Sequence, residues 1–117
     1  MKFGNQPITI DGKSFSSKLE GGRWAELRLL ERAGEIQHLQ SQVTFRIEIG
    51  GELICKYIAD FVYTDRNGKQ VVEDTKSLAT MTPVYRLKKK LMRVVNGIDI
   101  VEVLGNGKKA KRRLKNG

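Results

Sequence analysis

The middle of the chain contains two turns that leave it little freedom. From Gln42 to Ser77 it reads QVTFRIEI, then GG, then ELICKYIADFVY, then TDRNG, then KQVVEDTKS. Val43, Phe45, Ile47 and Ile49 alternate with polar residues, the period of a half-buried strand. Gly50-Gly51 is a hairpin turn and Asp65-Arg66-Asn67-Gly68 a second, so the three segments are expected to run as an antiparallel meander.

Helices flank this meander. Ser16 or Ser17 can cap a helix running to about Ala33, which Gly34 ends. Thr82-Pro83 starts a second helix, with Thr at the N-cap and Pro at the first helical position. Its apolar side is expected to carry Val84, Leu87, Leu91, Val94 and Val95, and it stops before Gly97. IDIVEVL then reads as a last strand. Helix, three strands, helix, strand is the order of an α/β domain with a mixed sheet. At 117 residues the chain has room for one core, so we read residues 1–104 as one domain and 105–117 as a basic tail.

Charge sits where this sheet should be apolar. If Asp65 pairs with Lys69 across a three-residue loop, counting back places Asp60 opposite Asp74, their Cβ atoms about 5.5 Å apart. A two-residue Asn67-Gly68 turn would instead split the pair. Like charges so placed are destabilising unless one is protonated or a cation lies between them. A divalent metal resolves the conflict, because Mg²⁺ takes one or two carboxylates with waters and substrate phosphate. Lys76 lies on the Asp74 face, where its ammonium either forms a plain salt bridge or stabilises charge developing on a phosphate. Glu73 and Thr75 face the other way, and Glu73 reads as an exposed strand residue. In the first helix Leu19, Trp24, Leu27 and Leu30 mark an inward stripe with Glu20 in its middle. Glu20 can pair with Arg23 on the same arc or reach a metal site at the sheet.

Composition narrows the class of partner. Lys+Arg number 22 against 13 Asp+Glu, a net charge of +9 with a pI near 9.9, which suits a polyanion and nucleic acid above all. Part of the excess is local, in the tail GNGKKAKRRLKNG, which contains Arg112 and Arg113 and suits non-specific phosphate contact. No apolar run reaches the ~20 residues of a membrane helix, and the N-terminus lacks the apolar centre of a signal peptide. A single Cys55 and no Cys/His metal spacing imply a reducing, cytoplasmic setting. On the second helix Arg86, Lys88 and Lys89 offer a basic face, with Lys88 nearest its apolar side. His38 reads as a surface histidine, Cys55 as a small buried residue and Trp24 as core.

An acid in one strand, an acid-x-Lys on its neighbour and a preceding helical Glu resemble the PD-(D/E)xK nuclease signature. Here it comprises Glu20, Asp60 and Asp74-Thr75-Lys76. The element order is also that of the superfamily's restriction-endonuclease-like core. FSSKLEGGRWAELRLLERAGEI, LQSQVTF, YIADFVY, VVEDTKS and VYRLKKKLM further resemble a small family of phage and prophage proteins assigned to that superfamily, similar to the phage endonuclease I type of Holliday junction resolvase. The resemblance covers roughly residues 12–103. It implies a Mg²⁺- or Mn²⁺-dependent deoxyribonuclease acting on branched DNA as a homodimer in the host cytoplasm. Asp60 and Asp74 would hold the metal, Glu20 complete the site, the Thr75 carbonyl ligate and Lys76 orient water. Gln42 stands where the family carries a Gln before its first strand, and would position water or phosphate. The motif's Pro is Ala59 here, and that Pro is not a ligand. The alternative is a non-catalytic DNA-binding protein that keeps the fold.

Overall fold

The computed structural model describes residues 8–10 and 12–105. Two short strands, β1 (Ile8–Ile10) and β2 (Lys13–Phe15), form an antiparallel hairpin ahead of helix α1 (Lys18–Arg32). The meander follows as β3 (Gln37–Ile49), β4 (Glu52–Thr64) and β5 (Gln70–Lys76). Helix α2 (Pro83–Asn96) then crosses to β6 (Val101–Leu104), which lies parallel to β5 and gives a mixed sheet in the order β3-β4-β5-β6. This is the α/β order expected from the sequence, with the N-terminal hairpin added. The tail residues Arg112 and Arg113 lie outside the described residues.

Local signals explain the boundaries. Ser17 caps α1 by accepting the Glu20 N–H at 3.2 Å, and Thr82 caps α2 by accepting the Tyr85 N–H at 3.1 Å. Gly97 closes α2 in the left-handed region, φ 68°. Gly21 has a different reason: a Cβ there would stand 2.6 Å from Ile8 Cγ2, so its missing side chain lets the β1–β2 hairpin seat on α1.

Each face of the sheet carries a core. On the α1 side Phe15, Trp24, Leu27, Ile36, Phe61 and Tyr63 pack together, with Trp24 stacked on Phe61 at 6.1 Å. On the α2 side Ile47, Tyr57, Ala59, Val62, Val72, Tyr85, Met92 and Ile100 do so. Tyr57 and Ala59 therefore face α2, whereas Phe61 and Tyr63, of the same parity, face α1. β4 changes faces at Asp60. The β3–β4 ladder shows why: Val43 pairs Ala59 and Ser41 pairs Phe61, but the Gln42–Asp60 rung between them is missing and Gln42 has φ +54°.

Two expectations about faces are corrected. Val84, Leu87 and Val94 are exposed rather than inward, and α2 docks instead through Tyr85 and Met92, about a third of a turn round. Tyr85 supplies what the aliphatic stripe cannot, a large apolar ring with a hydroxyl that finds a buried acceptor. Glu73 is fully buried rather than exposed, because β5 has helices on both faces and no solvent side.

Candidate active site

The register of β4 and β5 runs Phe61 opposite Glu73, Val62 opposite Val72 and Thr64 opposite Gln70. One further step brings Asp60 opposite Asp74, the register the Asp65–Lys69 turn requires. There the regular ladder ends and side chains replace it. The Asp60 N–H donates to Asp74 Oδ1 at 3.1 Å, while the Thr75 N–H and hydroxyl both donate to Asp60 Oδ2 at 2.8 Å. Each carboxylate thus satisfies backbone of the other strand, which holds both at the point where the strands part.

The pair is short of positive charge. Burial first, then the charge of Asp60, pushes the Asp74 carboxyl up to about 7; the Tyr57 hydroxyl and Lys76 pull the other way. Tyr57 donates to Asp74 Oδ2, and its own phenol is pushed up by burial and by Asp74, so it stays a donor. Lys76 Nζ is 3.7 Å from Asp74 Oδ2, a loose contact, and lies 3.7 Å from the centre of the Tyr85 ring. The Tyr85 hydroxyl donates to Glu102 Oε2 at 2.7 Å, and Lys89 pairs with the same oxygen at 3.1 Å. Glu102 sits beside Asp74 in the parallel β5–β6 register.

Glu20 approaches from α1. Ser16 Oγ donates to its Oε1 at 2.9 Å and Gln42 Nε2 to its Oε2 at 2.6 Å. Burial and then Asp60 raise its pKa, so Glu20 lies within the field of the carboxylate pair. Arg23 does not pair with Glu20. It grips Glu73 instead, Nε to Oε1 and Nη2 to Oε2, both at 2.8 Å, and the Tyr63 hydroxyl adds a third bond to Glu73. The bidentate bond to Glu73 outweighs burial and raises the Arg23 pKa. The Arg23–Glu73 clamp joins α1 to β5 one residue from Asp74.

Among the described residues no three His, Cys, Asp or Glu side chains converge as a metal cluster. The donor set is a pair of hard carboxylates whose charge Lys76 offsets only in part, which fits Mg²⁺ or Mn²⁺ completed by waters and a phosphate. Asp60, Asp74 and Lys76 open into a cleft of about 350 Å³, lined also by Ile58, Val84 and Lys88. Arg86 lies exposed on the outer side of α2.

Tyr57, Tyr85, Glu102 and the clamp were not legible beforehand. Nothing in the pattern marks Tyr57 or Tyr85 as partners of buried acids, and a parallel register between β5 and β6 leaves no turn in the sequence to count from. The one signal for the clamp is Arg23 itself, an inward cation on the buried arc of α1.

The model of a family described as "Protein of unknown function (DUF1064)" matches residues 1–103. No curated protein matches the chain. A solved structure titled "Crystal structure of SSO0001" is similar over 78% of this chain and 48% of its own, at 17% identity and a TM-score of 0.38. The chain spans about half the length of that protein, and a likeness this distant carries no argument.

Proposed function

We propose that this chain, which belongs to the DUF1064 family, is a metal-dependent DNA endonuclease hydrolysing phosphodiester bonds. The observation that carries the reading is the Asp60–Asp74 pair, bound crosswise at the end of a ladder with Lys76 beside it in an open cleft. A buried acid, Asp74, facing a half-buried one, Asp60, without a full counter-charge is costly for stability alone, and perturbed groups in clefts gather at sites of chemistry.

Asp60 and Asp74 would hold Mg²⁺ or Mn²⁺, with the Thr75 carbonyl as a further oxygen donor. A divalent cation there supplies a Lewis acid for the phosphate and lowers the pKa of a water. The chain's own residues do the rest. Tyr57 fixes the orientation of Asp74, and the Tyr85 ring keeps the Lys76 ammonium at the cleft, where it stabilises charge on phosphate oxygens. Glu20 and Gln42 form a second hydrogen-bonded unit that can orient water or phosphate from the α1 side. Arg86 and Lys88 offer contacts to the DNA backbone, while Lys89 is engaged with Glu102. Branched DNA as substrate and a homodimer making paired incisions follow from the resemblance to junction resolvases.

The test is incubation of the protein and of Asp74→Ala with branched and linear DNA in Mg²⁺. The expected outcome is cleavage by the wild type, reduced on the order of a thousandfold in the variant. Equal nicking by both sinks the proposal. Binding with no cleavage by either supports a non-catalytic DNA-binding protein.

A further inference from the structure

The cleft beside the carboxylates carries a feature the hydrolytic reading does not use. Ile58 on β4 and Val84 at the start of α2 both line it and are 55% and 63% exposed. Single exposed aliphatic residues are ordinary, but two in one cleft leave apolar surface in water that a ligand can cover. Lys56 and Lys88 line the same cleft, and neither makes an ion pair among the described residues. The lining thus combines two exposed aliphatic side chains with two uncommitted ammonium groups, in the cleft that also holds Asp60 and Asp74.

We infer that this cleft receives an unpaired nucleotide of a DNA strand, its phosphates on Lys56 and Lys88 and its base or sugar against Ile58 and Val84. Intact duplex presents phosphates outward and keeps base faces stacked inside, so it satisfies the lysines but not the aliphatic side chains. A nucleotide outside the stack presents both chemistries at once. The volume of about 350 Å³ falls at the lower end of the ~300–1,000 Å³ typical of ligand clefts, room for one such unit. This inference rests on the endonuclease reading for the identity of its ligand, and it adds a physical origin for a preference for branched over continuous duplex DNA.

The experiment measures binding in EDTA, so that cleavage plays no part. Fluorescence anisotropy would compare fully paired duplex with gapped and branched DNA of equal length for the wild type and the Ile58→Ser/Val84→Ser double variant. Both positions are surface-exposed, and thermal melts would confirm that the variant is folded. The wild type should prefer the gapped and branched forms about tenfold, and the double variant should lose about five- to tenfold on them but under about twofold on duplex. A 2-aminopurine placed at the gap should change its fluorescence with the wild type and not with the variant. Equal loss on all substrates, or no loss, overturns the inference. So does a shift from dimer to monomer in sedimentation with DNA affinity unchanged, which assigns the apolar pair to a contact between copies. A wild type that shows the preference but never cuts in Mg²⁺ removes the endonuclease reading and leaves the subsite standing. Cleavage and binding indifferent to the double variant do the reverse.

Discussion

Glu73 and Asp74 are consecutive carboxylates on one strand, both nearly sealed from water at 0% and 3% exposure, yet the fold treats their charges in opposite ways. Glu73 faces α1 and meets a bidentate Arg23 and the Tyr63 hydroxyl, so its charge is matched and its oxygens are filled. Asp74 faces α2 and meets a second acid, a phenol and an ammonium 3.7 Å away. A buried carboxylate completed by protein groups has a structural purpose, and one left short of cation has capacity for something from outside. Burial and charge alone do not separate the two; their partners do.

The sharpest way to break this contrast is to remove the cation from the completed side. Arg23→Met leaves Glu73 charged and unpaired in the core, and should destabilise the fold by about 3–5 kcal/mol in urea denaturation. Adding Glu73→Leu, which removes both charges, should recover most of that loss. A penalty under about 1 kcal/mol for Arg23→Met would show that the clamp is not what completes Glu73.

The contrast also predicts opposite responses to pH and metal. From the ordinary aspartate value of 3.8 up to about 7, folded Asp74 retains a proton that the unfolded chain has lost. Stability of the metal-free protein should therefore fall by a few kcal/mol as pH rises through that window, and level off above it. At pH 8, Mg²⁺ at one hundred times its dissociation constant should restore about 2.7 kcal/mol, and EDTA should reverse the gain. Asp74→Asn should flatten the slope and abolish the metal effect. A slope that survives in this variant would place its origin elsewhere.

The smallest effect concerns Gln42, which holds Glu20 from a left-handed backbone position. Gln42→Gly removes the hydrogen bond, worth about 1 kcal/mol, and also relieves about 1–2 kcal/mol of backbone strain. The net change in thermal melts should stay within about 1 kcal/mol, whereas Gln42→Ala, which keeps the strain, should lose about 1 kcal/mol. Equal melts for the two variants would deny that strain is held there.

Turn chemistry made the meander legible, and Thr82-Pro83 marked where α2 begins. For the register it offered two choices: a three-residue loop closed by Asp65 and Lys69 brings Asp60 to face Asp74, a two-residue Asn67-Gly68 turn does not, and the structure takes the first. What stayed hidden depends on which element covers which face. Strict alternation cannot reveal that β4 changes faces at Asp60, because the cause is a missing rung and a left-handed Gln42 on another strand. Nor can it show that Glu73 is buried, since its partner Arg23 is 50 residues away in the chain. The stripe on α2 misleads for a related reason: Val84, Leu87 and Val94 are apolar in sequence, but the helix turns Tyr85 and Met92 to the sheet.

The crosswise bonding of Asp60 and Asp74 has a practical consequence. Each carboxylate is read by a backbone amide of the facing strand, Asp74 by the Asp60 N–H and Asp60 by the Thr75 N–H. In a ¹⁵N-correlated NMR spectrum those two amide protons are built-in reporters, one for each acid. A cation or phosphate that draws on either carboxylate lengthens the bond its amide makes, and the resonance moves. The molecule thus carries its own assay for occupancy, independent of any turnover.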